Sequence, residues 1–171
     1  MEETENYYYK LPYKTTILDH ICDLINDGGA WANYHSFDMK QLSHKKLILD
    51  PFLSALFKRH ECVALIIKMK PNTCYHWHVD EVRQSGINLL VSTGKSECLF
   101  AVGAVTQHIS NIVLLPYESE YYYIFNTQVP HEIINYDQQR FILSIQFTQQ
   151  NISYEDLLKD LKNNPLEQGE I

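Results

Sequence analysis

Residues 121–135 read YYYIFNTQVPHEIIN, and this stretch decides the class of fold that the sequence predicts. Residues 121–126 and 129–135 are rich in Tyr, Phe, Ile and Val, the side chains that β-strands favour. Asn126 and Thr127 between them are typical of a turn. Two short strands joined directly, without an intervening helix, are therefore expected here.

The same pattern extends in both directions from this stretch. Turn signals such as Lys70-Pro71-Asn72 and Thr93-Gly94-Lys95 separate further short segments rich in strand formers. The predicted strands cover residues 61–70, 74–80, 86–93, 97–105, 110–116, 121–126, 129–135 and 139–148. Eight strands at this spacing predict a mainly-β fold with flanking helices: a double-stranded β-helix (jelly roll, cupin-like) with its eight core strands in two antiparallel sheets.

Helices are expected outside the strand region. Apolar residues at helical spacing follow Thr15 and Thr16, either of which can cap a helix that ends at Gly28-Gly29. Asp50-Pro51 predicts a second helix start, and Ser153 a third.

The length of 171 residues favours one domain over residues 1–171. We expect helical N-terminal support in residues 1–60, the jelly-roll core in 61–148, and a C-terminal helix and tail in 149–171. We expect residues 1–14 to form a tail or an edge strand. The irregular stretch 28–49 is a candidate cover for the barrel mouth.

The charge balance argues against a nucleic-acid partner. Fourteen Lys and Arg against 21 Asp and Glu leave a net charge of −7, which repels phosphate backbones. The sequence holds no apolar run long enough for a transmembrane helix, and its acidic start does not resemble a signal peptide. The four cysteines lack CxxC spacing, so we expect reduced thiols in a soluble cytoplasmic protein without a membrane partner. The oligomeric state is left open.

The segment Cys74-Tyr75-His76-Trp77-His78-Val79-Asp80 carries the first chemical signal. Because side chains alternate along a strand, His76, His78 and Asp80 are expected on one face. His131 enters the seventh predicted strand, which is the antiparallel neighbour of the second strand in a jelly roll. His131 is therefore expected to face His78 and Asp80. Two imidazoles and one carboxylate form the facial triad that suits Fe(II) and leaves coordination positions open.

Arg140 carries the second signal. Alternation in the eighth strand directs Phe141, Leu143, Ile145 and Phe147 to the helices, and Arg140, Ile142, Ser144 and Gln146 to the space between the sheets. A buried guanidinium is costly unless an anion neutralises it, and its planar fork binds a carboxylate through two hydrogen bonds. A ligand carboxylate is one partner, and an ion pair with Glu132 or Asp137 is the structural alternative.

The order His78-x-Asp80, His131, Arg140 resembles the iron(II)- and 2-oxoglutarate-dependent oxygenases. The resemblance covers about residues 61–148. Within it, the stretch with Phe125-Asn126-Thr127, Pro130-His131-Glu132, Asn135 and Arg140 looks most similar to the aspartyl/asparaginyl β-hydroxylase-like branch, with prolyl hydroxylase-like members next.

The resemblance implies that His78, Asp80 and His131 hold Fe(II) and that Arg140 binds the far carboxylate of the cofactor 2-oxoglutarate. It implies hydroxylation of a peptide side chain or small molecule, with decarboxylation of 2-oxoglutarate to succinate. Many members carry Ser or Thr two residues after the arginine, where this chain has Ile142. Tyr75, Asn88 or Ser144 is expected to supply the missing hydroxyl or amide.

Three further residues are expected near the substrate or behind the metal ligands: His76, Arg83 and Asn135, the last also a candidate turn cap. Two other functions compete. One is a cupin-type protein that binds Mn, Zn, Ni or Fe through His76, His78 and His131. The other is a non-catalytic β-sandwich interaction protein without a metal.

Overall fold

The strands form two antiparallel sheets in the computed structural model, which describes residues 3–92, 94–103, 111–147 and 151–166. The strands are β1 (Tyr8–Lys14), β2 (Ala32–Tyr34), β3 (Phe37–Leu42), β4 (Val63–Met69), β5 (Thr73–His78), β6 (Ser85–Leu90), β7 (Ser96–Ala101), β8 (Ile112–Leu114), β9 (Tyr121–Asn126), β10 (His131–Asn135) and β11 (Arg140–Gln146). The α-helices are α1 (Leu18–Asn26), α2 (Pro51–Arg59) and α3 (Tyr154–Asn163). Two short 3₁₀ turns lie at Glu3–Asn6 and His44–Lys46.

The predicted jelly roll is confirmed. The larger sheet has the order β1-β9-β6-β11-β4-β3-β2, and the smaller sheet has the order β5-β10-β7-β8. Strands β4 to β11 correspond one by one to the eight predicted strands. Positions 93, 104, 105, 110 and 148, which the prediction included, lie outside the described residues.

The expected helical support in residues 1–60 includes strands as well, since β1, β2 and β3 belong to the larger sheet. The predicted edge strand is β1, which pairs with β9. Part of the supposedly irregular stretch 28–49 is the β2–β3 hairpin, whose β3 pairs with β4. The sequence of β3 lacks the alternation of apolar and polar residues that marks a strand, because Lys40 occupies one of its buried positions. The Lys40 ammonium group donates hydrogen bonds there to the Leu24 carbonyl and the Asp27 carboxylate.

Local signals placed two of the three helix starts correctly. Asp50 caps α2 by accepting a hydrogen bond from the Leu53 amide, and Ser153 caps α3 by accepting one from the Asp156 amide. The predicted threonine cap of α1 is wrong: the N-cap is Ile17, and the Thr15 hydroxyl donates to Asp50 instead. None of the described helices has the length and apolar character needed to cross a membrane.

The larger sheet separates two layers of packing. Tyr122 and Ile124 of β9 belong to the core shared with the helices, whereas Tyr123 and Phe125 pack with Cys98 and Phe100 of the smaller sheet. This alternation follows from the period of two along a strand. Leu143, Ile145 and Phe147 lie on the helical side as predicted, with Phe141 packed against the same core. The opposite face of β11 is therefore turned toward the space between the sheets.

Candidate metal and anion site

Two histidines from neighbouring strands lie side by side at one end of the smaller sheet. Strands β5 and β10 pair antiparallel, and their register places His131 opposite His78. The ring centroids are 4.1 Å apart, and only 2% of His131 is exposed. Burial, and next the neighbouring His78, lowers the pKa of His131 to about 4. The His131 ring is therefore neutral near pH 7, the form that can bind a metal.

The peptide backbone sets which nitrogen of each ring is free. Nδ1 of His78 lies 2.7 Å from the His76 carbonyl oxygen, and Nδ1 of His131 lies 2.9 Å from the Val129 carbonyl oxygen. Because a carbonyl oxygen only accepts, each Nδ1 carries the proton and donates it. Each Nε2 then keeps its lone pair, which is the arrangement that orients histidine ligands in metal sites.

Asp80 completes a group of three possible ligands. Its Oδ1 lies 3.6 Å from His78 Nε2, and the ligand atoms of His78, Asp80 and His131 all lie within 4.8 Å of one another. The structure therefore brings together the three residues that the sequence predicted as metal ligands. The set of two nitrogens and one carboxylate oxygen suits a ferrous ion.

Contacts that sequence reasoning missed hold Asp80 in place. The Asp80 amide donates to the Thr127 carbonyl at 3.1 Å. The Thr127 hydroxyl donates to the Arg83 carbonyl at 2.7 Å, and the Gln128 amide group donates to the carbonyls of Asp80 and Arg83. The loop after β5 is thus tied to the turn before His131. The polar pair Thr127-Gln128 in that turn was the feature of the sequence from which these contacts could have been predicted.

Arg83 lies inside this group, where the sequence allowed either a surface arginine or a contact to substrate. Its Nε donates to Asp80 Oδ2 at 2.6 Å, and its Nη1 donates to Ser144 Oγ at 3.3 Å. Ser144 is buried and stands opposite Asn88 in the β11–β6 pairing. Arg83 thus connects a possible metal ligand to the inner face of β11.

His76 is not part of the group. The expectation that His76 shares a face of β5 with His78 is therefore wrong. Between the pairs His131–His78 and Ile133–Tyr75, two residue steps on β10 match three on β5, so β5 carries a bulge. A bulge adds one residue and interrupts the alternation of faces. The His76 side chain is consequently turned outward and is 86% exposed. The three-histidine site of the cupin alternative is not assembled.

Tyr75 lies on the inner side of the bulge, with its ring centroid 4.0 Å from that of His78. The tip of the β2–β3 hairpin adjoins it, since Phe37 packs edge-on at 5.3 Å and His35 lies at 6.4 Å. Tyr75 therefore stands beside the possible metal ligands, and the hairpin reaches the mouth of the barrel.

Arg140 is buried between the sheets with 2% of its surface exposed. Its Nε donates to Ser96 Oγ at 3.2 Å, and its guanidinium carbon lies 5.9 Å from the centre of the Tyr117 ring. Within the described part of the chain, no carboxylate forms an ion pair with Arg140. The expected structural partner Glu132 instead contacts Cys74 and His76 on the outer face.

Asn88 and Tyr117 extend the polar lining from Arg140. The Asn88 Nδ2 donates to the Tyr117 hydroxyl at 3.4 Å. The Asn88 Oδ1 is buried and has no hydrogen-bond partner among the described atoms. Burial raises the pKa of Tyr117, so its hydroxyl keeps its proton. Sequence reasoning found Asn88 but missed Tyr117, whose loop gives no periodic signal.

Asn135 caps a turn, which is one of the two roles expected for it. Its Nδ2 donates to the carbonyls of Met69, Lys70 and Gln138. Asn135 ends β10, about 13 Å from His131 at the usual rise per strand residue. These contacts tie together the backbone around Asn135, and the turn it holds leads into Arg140.

Comparison with known proteins supports the fold. No protein-family model matches the chain, and no curated protein matches it. Several solved structures do, among them three whose coverage is high. HygX from Streptomyces hygroscopicus, solved with nickel and 2-oxoglutarate bound, has a TM-score of 0.63 at 6% identity, covering 88% of this chain and 86% of its own.

Two further solved structures have similar scores. An oxidoreductase of the 2OG-Fe(II) oxygenase family from Burkholderia pseudomallei has a TM-score of 0.61 at 14% identity, covering 88% of each chain. A prolyl hydroxylase from Trichoplax adhaerens, in complex with a peptide fragment of the hypoxia inducible factor oxygen degradation domain, has a TM-score of 0.60 at 11% identity, covering 85% of this chain and 86% of its own. At these identities the likeness establishes the shared fold.

Proposed function

We propose that the protein is an Fe(II)- and 2-oxoglutarate-dependent dioxygenase that hydroxylates a peptide side chain or a small molecule. One observation carries this proposal. The barrel buries a guanidinium, Arg140, without a carboxylate partner among the described residues, on the same inner surface as Ser144 and Arg83, which lead to the His78–Asp80–His131 group. A buried cation of this kind calls for an anion from outside the chain.

His78, Asp80 and His131 are the residues proposed to hold the iron. Their backbone-anchored Nδ1 atoms leave both Nε2 lone pairs free, the ligand atoms of the two rings and of Asp80 lie within 4.8 Å of one another, and three protein ligands leave further positions for small molecules. When bound, the iron and 2-oxoglutarate would supply the oxidising chemistry that forms succinate and carbon dioxide and hydroxylates a C–H bond. The protein supplies the positions of these groups.

Arg140 is proposed to bind the far carboxylate of 2-oxoglutarate. Its Nε is occupied by Ser96, so the terminal nitrogens of the fork are the ones that face a ligand. Asn88 is proposed to assist. If the Asn88 amide group rotates by 180°, its Oδ1 can accept a hydrogen bond from the Tyr117 hydroxyl, so this oxygen is no longer without a partner. The NH₂ group of Asn88 then faces the carboxylate. Asn88 and Tyr117 thus take the place of the hydroxyl absent at Ile142.

The substrate is proposed to enter beside the β2–β3 hairpin. Tyr34 of that hairpin is half exposed, and the hairpin packs on Tyr75 next to His78. The peptide bound to the Trichoplax adhaerens prolyl hydroxylase supports a peptide as the substrate. Within the oxygenases, the aspartyl/asparaginyl β-hydroxylase-like branch stays a prediction from the sequence.

The test is anaerobic addition of Fe(II) and 2-oxoglutarate to the purified protein. We expect a weak visible charge-transfer band, and slow succinate formation once air is admitted. The band should be lost in His131→Ala, which removes a buried ligand, and reduced in Arg140→Met, which removes the proposed carboxylate contact. His76→Ala, on the same strand but on the outer face, is the control and should keep the band.

Two results would contradict the proposal. Folded protein that gives neither band nor succinate would exclude a 2-oxoglutarate-dependent dioxygenase. Retention of iron in Asp80→Ala together with its loss in His76→Ala would favour the three-histidine alternative, against the observed face of His76.

A further inference from the structure

A second group of metal-binding side chains lies on the outer face of the same two strands. Cys74 Sγ lies 3.2 Å from Glu132 Oε1 and 3.5 Å from His76 Nδ1, and His76 Nδ1 lies 3.4 Å from Glu132 Oε1. These three atoms form a nearly equilateral triangle of a sulfur, a nitrogen and an oxygen. All three pairs lie within the 4.8 Å spacing that one ion can bridge.

The strand geometry explains why these side chains converge. Cys74 and His76 are two residues apart on β5, so they share a face. Glu132 follows His131 on β10 and therefore points to the opposite side from it. The β5 bulge returns His78 to the inner face after His76 has pointed outward. One irregularity in one strand thus separates two groups of possible ligands.

Among the described residues, the side-chain polar contacts of Glu132 and His76 are confined to this group. Among the described residues, Glu132 forms its ion pair with His76, and no lysine or arginine neutralises its carboxylate. Cys74 and Glu132 are partly buried, so their donor atoms are held by the sheet, whereas His76 is open to solvent. An arriving ion would meet two ordered ligands and one accessible imidazole.

We propose that Cys74, His76 and Glu132 form a binding site for a divalent transition-metal ion of the zinc class. Thiolate, imidazole and carboxylate together are a ligand set of Zn²⁺ sites and are unsuited to Mg²⁺ or Ca²⁺, which prefer oxygen alone. Three protein ligands and a water molecule complete four-coordination. As the sulfur–metal bond forms, the thiol proton that lies against Glu132 leaves to solvent.

This site does not depend on the proposed dioxygenase function, because its ligands are separate from His78, Asp80 and His131. It does adjoin that group through the backbone: the His76 carbonyl accepts the Nδ1 proton of His78. His131→Ala therefore provides a background in which the inner group has lost a ligand while the outer group keeps all three.

The experiment is titration of reduced protein with Co²⁺, which reports a thiolate ligand by an intense near-ultraviolet sulfur-to-cobalt band. We expect the band at one equivalent in both the natural protein and His131→Ala, and its loss when Zn²⁺ is added in competition. Cys74→Ser should abolish the band. His76→Ala and Glu132→Gln should weaken Co²⁺ binding by about tenfold or more, the cost seen even for disturbed partners of metal ligands.

Cys22→Ser is the matched control, since Cys22 is also a partly buried free thiol but lies on α1, outside the group. It should leave the band unchanged. A band that persists in Cys74→Ser, or no band in folded protein at a fivefold excess of Co²⁺, would overturn the proposal. Near-identical circular dichroism spectra of the variants verify that the exposed-face substitutions leave the fold intact.

Discussion

The chain buries a carboxylate, Asp50, on the helical side of the larger sheet and a guanidinium, Arg140, on the opposite side. Asp50 is 0% exposed and is surrounded by donors from three parts of the chain. It accepts hydrogen bonds from the Thr15 hydroxyl at 2.8 Å, the Thr16 amide at 3.2 Å, the Leu53 amide at 3.0 Å and the Tyr122 hydroxyl at 3.0 Å.

Arg140 is nearly as buried but has far fewer partners. Ser96 accepts one hydrogen bond from its Nε, and the Tyr117 ring lies nearby, with no carboxylate in ion-pair contact among the described residues. The difference shows how to separate structural from functional charges. Where the chain itself satisfies a buried charge, the charge stabilises the fold; where it does not, the charge is available to a ligand.

The largest effect is expected when Asp50, the buried charge that the chain satisfies, is replaced. Asp50→Ala removes the α2 cap and leaves the Thr15 and Tyr122 hydroxyls without their acceptor. We expect the free energy of unfolding to fall by about 3 kcal/mol or more. Urea denaturation measures it. Asp23→Ala, an exposed aspartate on α1, is the control and should change stability by less than about 0.5 kcal/mol. Equal effects of the two substitutions would refute the structural role of Asp50.

The second largest effect concerns Arg140, whose replacement is expected to stabilise the fold. Replacing an unpaired buried charge by an apolar side chain of similar length is often neutral or stabilising, so Arg140→Met should raise the free energy of unfolding of the ligand-free protein by about 1 kcal/mol. If 2-oxoglutarate is the ligand, the natural protein should gain roughly 2.7 kcal/mol of stability at 100 times the Kd, and Arg140→Met should abolish this gain. Arg59→Met, on α2, should keep that ligand response. Strong destabilisation by Arg140→Met would place Arg140 with the structural charges.

The smallest effect tests whether the Tyr117 hydroxyl, near Arg140, takes part in binding the ligand. Tyr117→Phe keeps the ring beside Arg140 but removes the hydroxyl that contacts Asn88. We expect 2-oxoglutarate binding to weaken by about 1 kcal/mol, the usual worth of one hydrogen bond, with little change in stability. Isothermal titration calorimetry measures it. Tyr154→Phe, which loses a hydroxyl contact to the Glu5 carbonyl on the helical side of the larger sheet, should bind normally. Unchanged binding in Tyr117→Phe would exclude its hydroxyl from the ligand site.

Much of the fold could be predicted because its signals are local. The eight core strands follow from runs of β-formers between turns, and Asp50-Pro51 and Ser153 marked two helix starts. Strand β3 was missed because a buried lysine interrupts its apolar alternation, and Lys40 is tolerated there only through its contacts to α1 and Asp27. Such compensation is visible only once the elements are packed.

The candidate site divides in the same way. The types and order of His78, Asp80, His131 and Arg140 could be read from the sequence. Jelly-roll topology makes the strands of His78 and His131 neighbours and places Arg140 on β11 of the facing sheet. The face of His76 could not, since the β5 bulge exists only in the pairing with β10. Nor could the contact between Tyr117 and Arg140, which joins a loop to a strand of the other sheet.

The sequence by itself determined the eight core strands and the chemical groups they carry, because both depend on residues close together in the chain. The tertiary structure alone decided that His76 turns away from His78, that Arg83 reaches Ser144, and that Arg140 is left without an anion among the described residues. The physical reason is that strand register, burial and charge compensation are set by partners that are distant in sequence and meet only when the sheets pack.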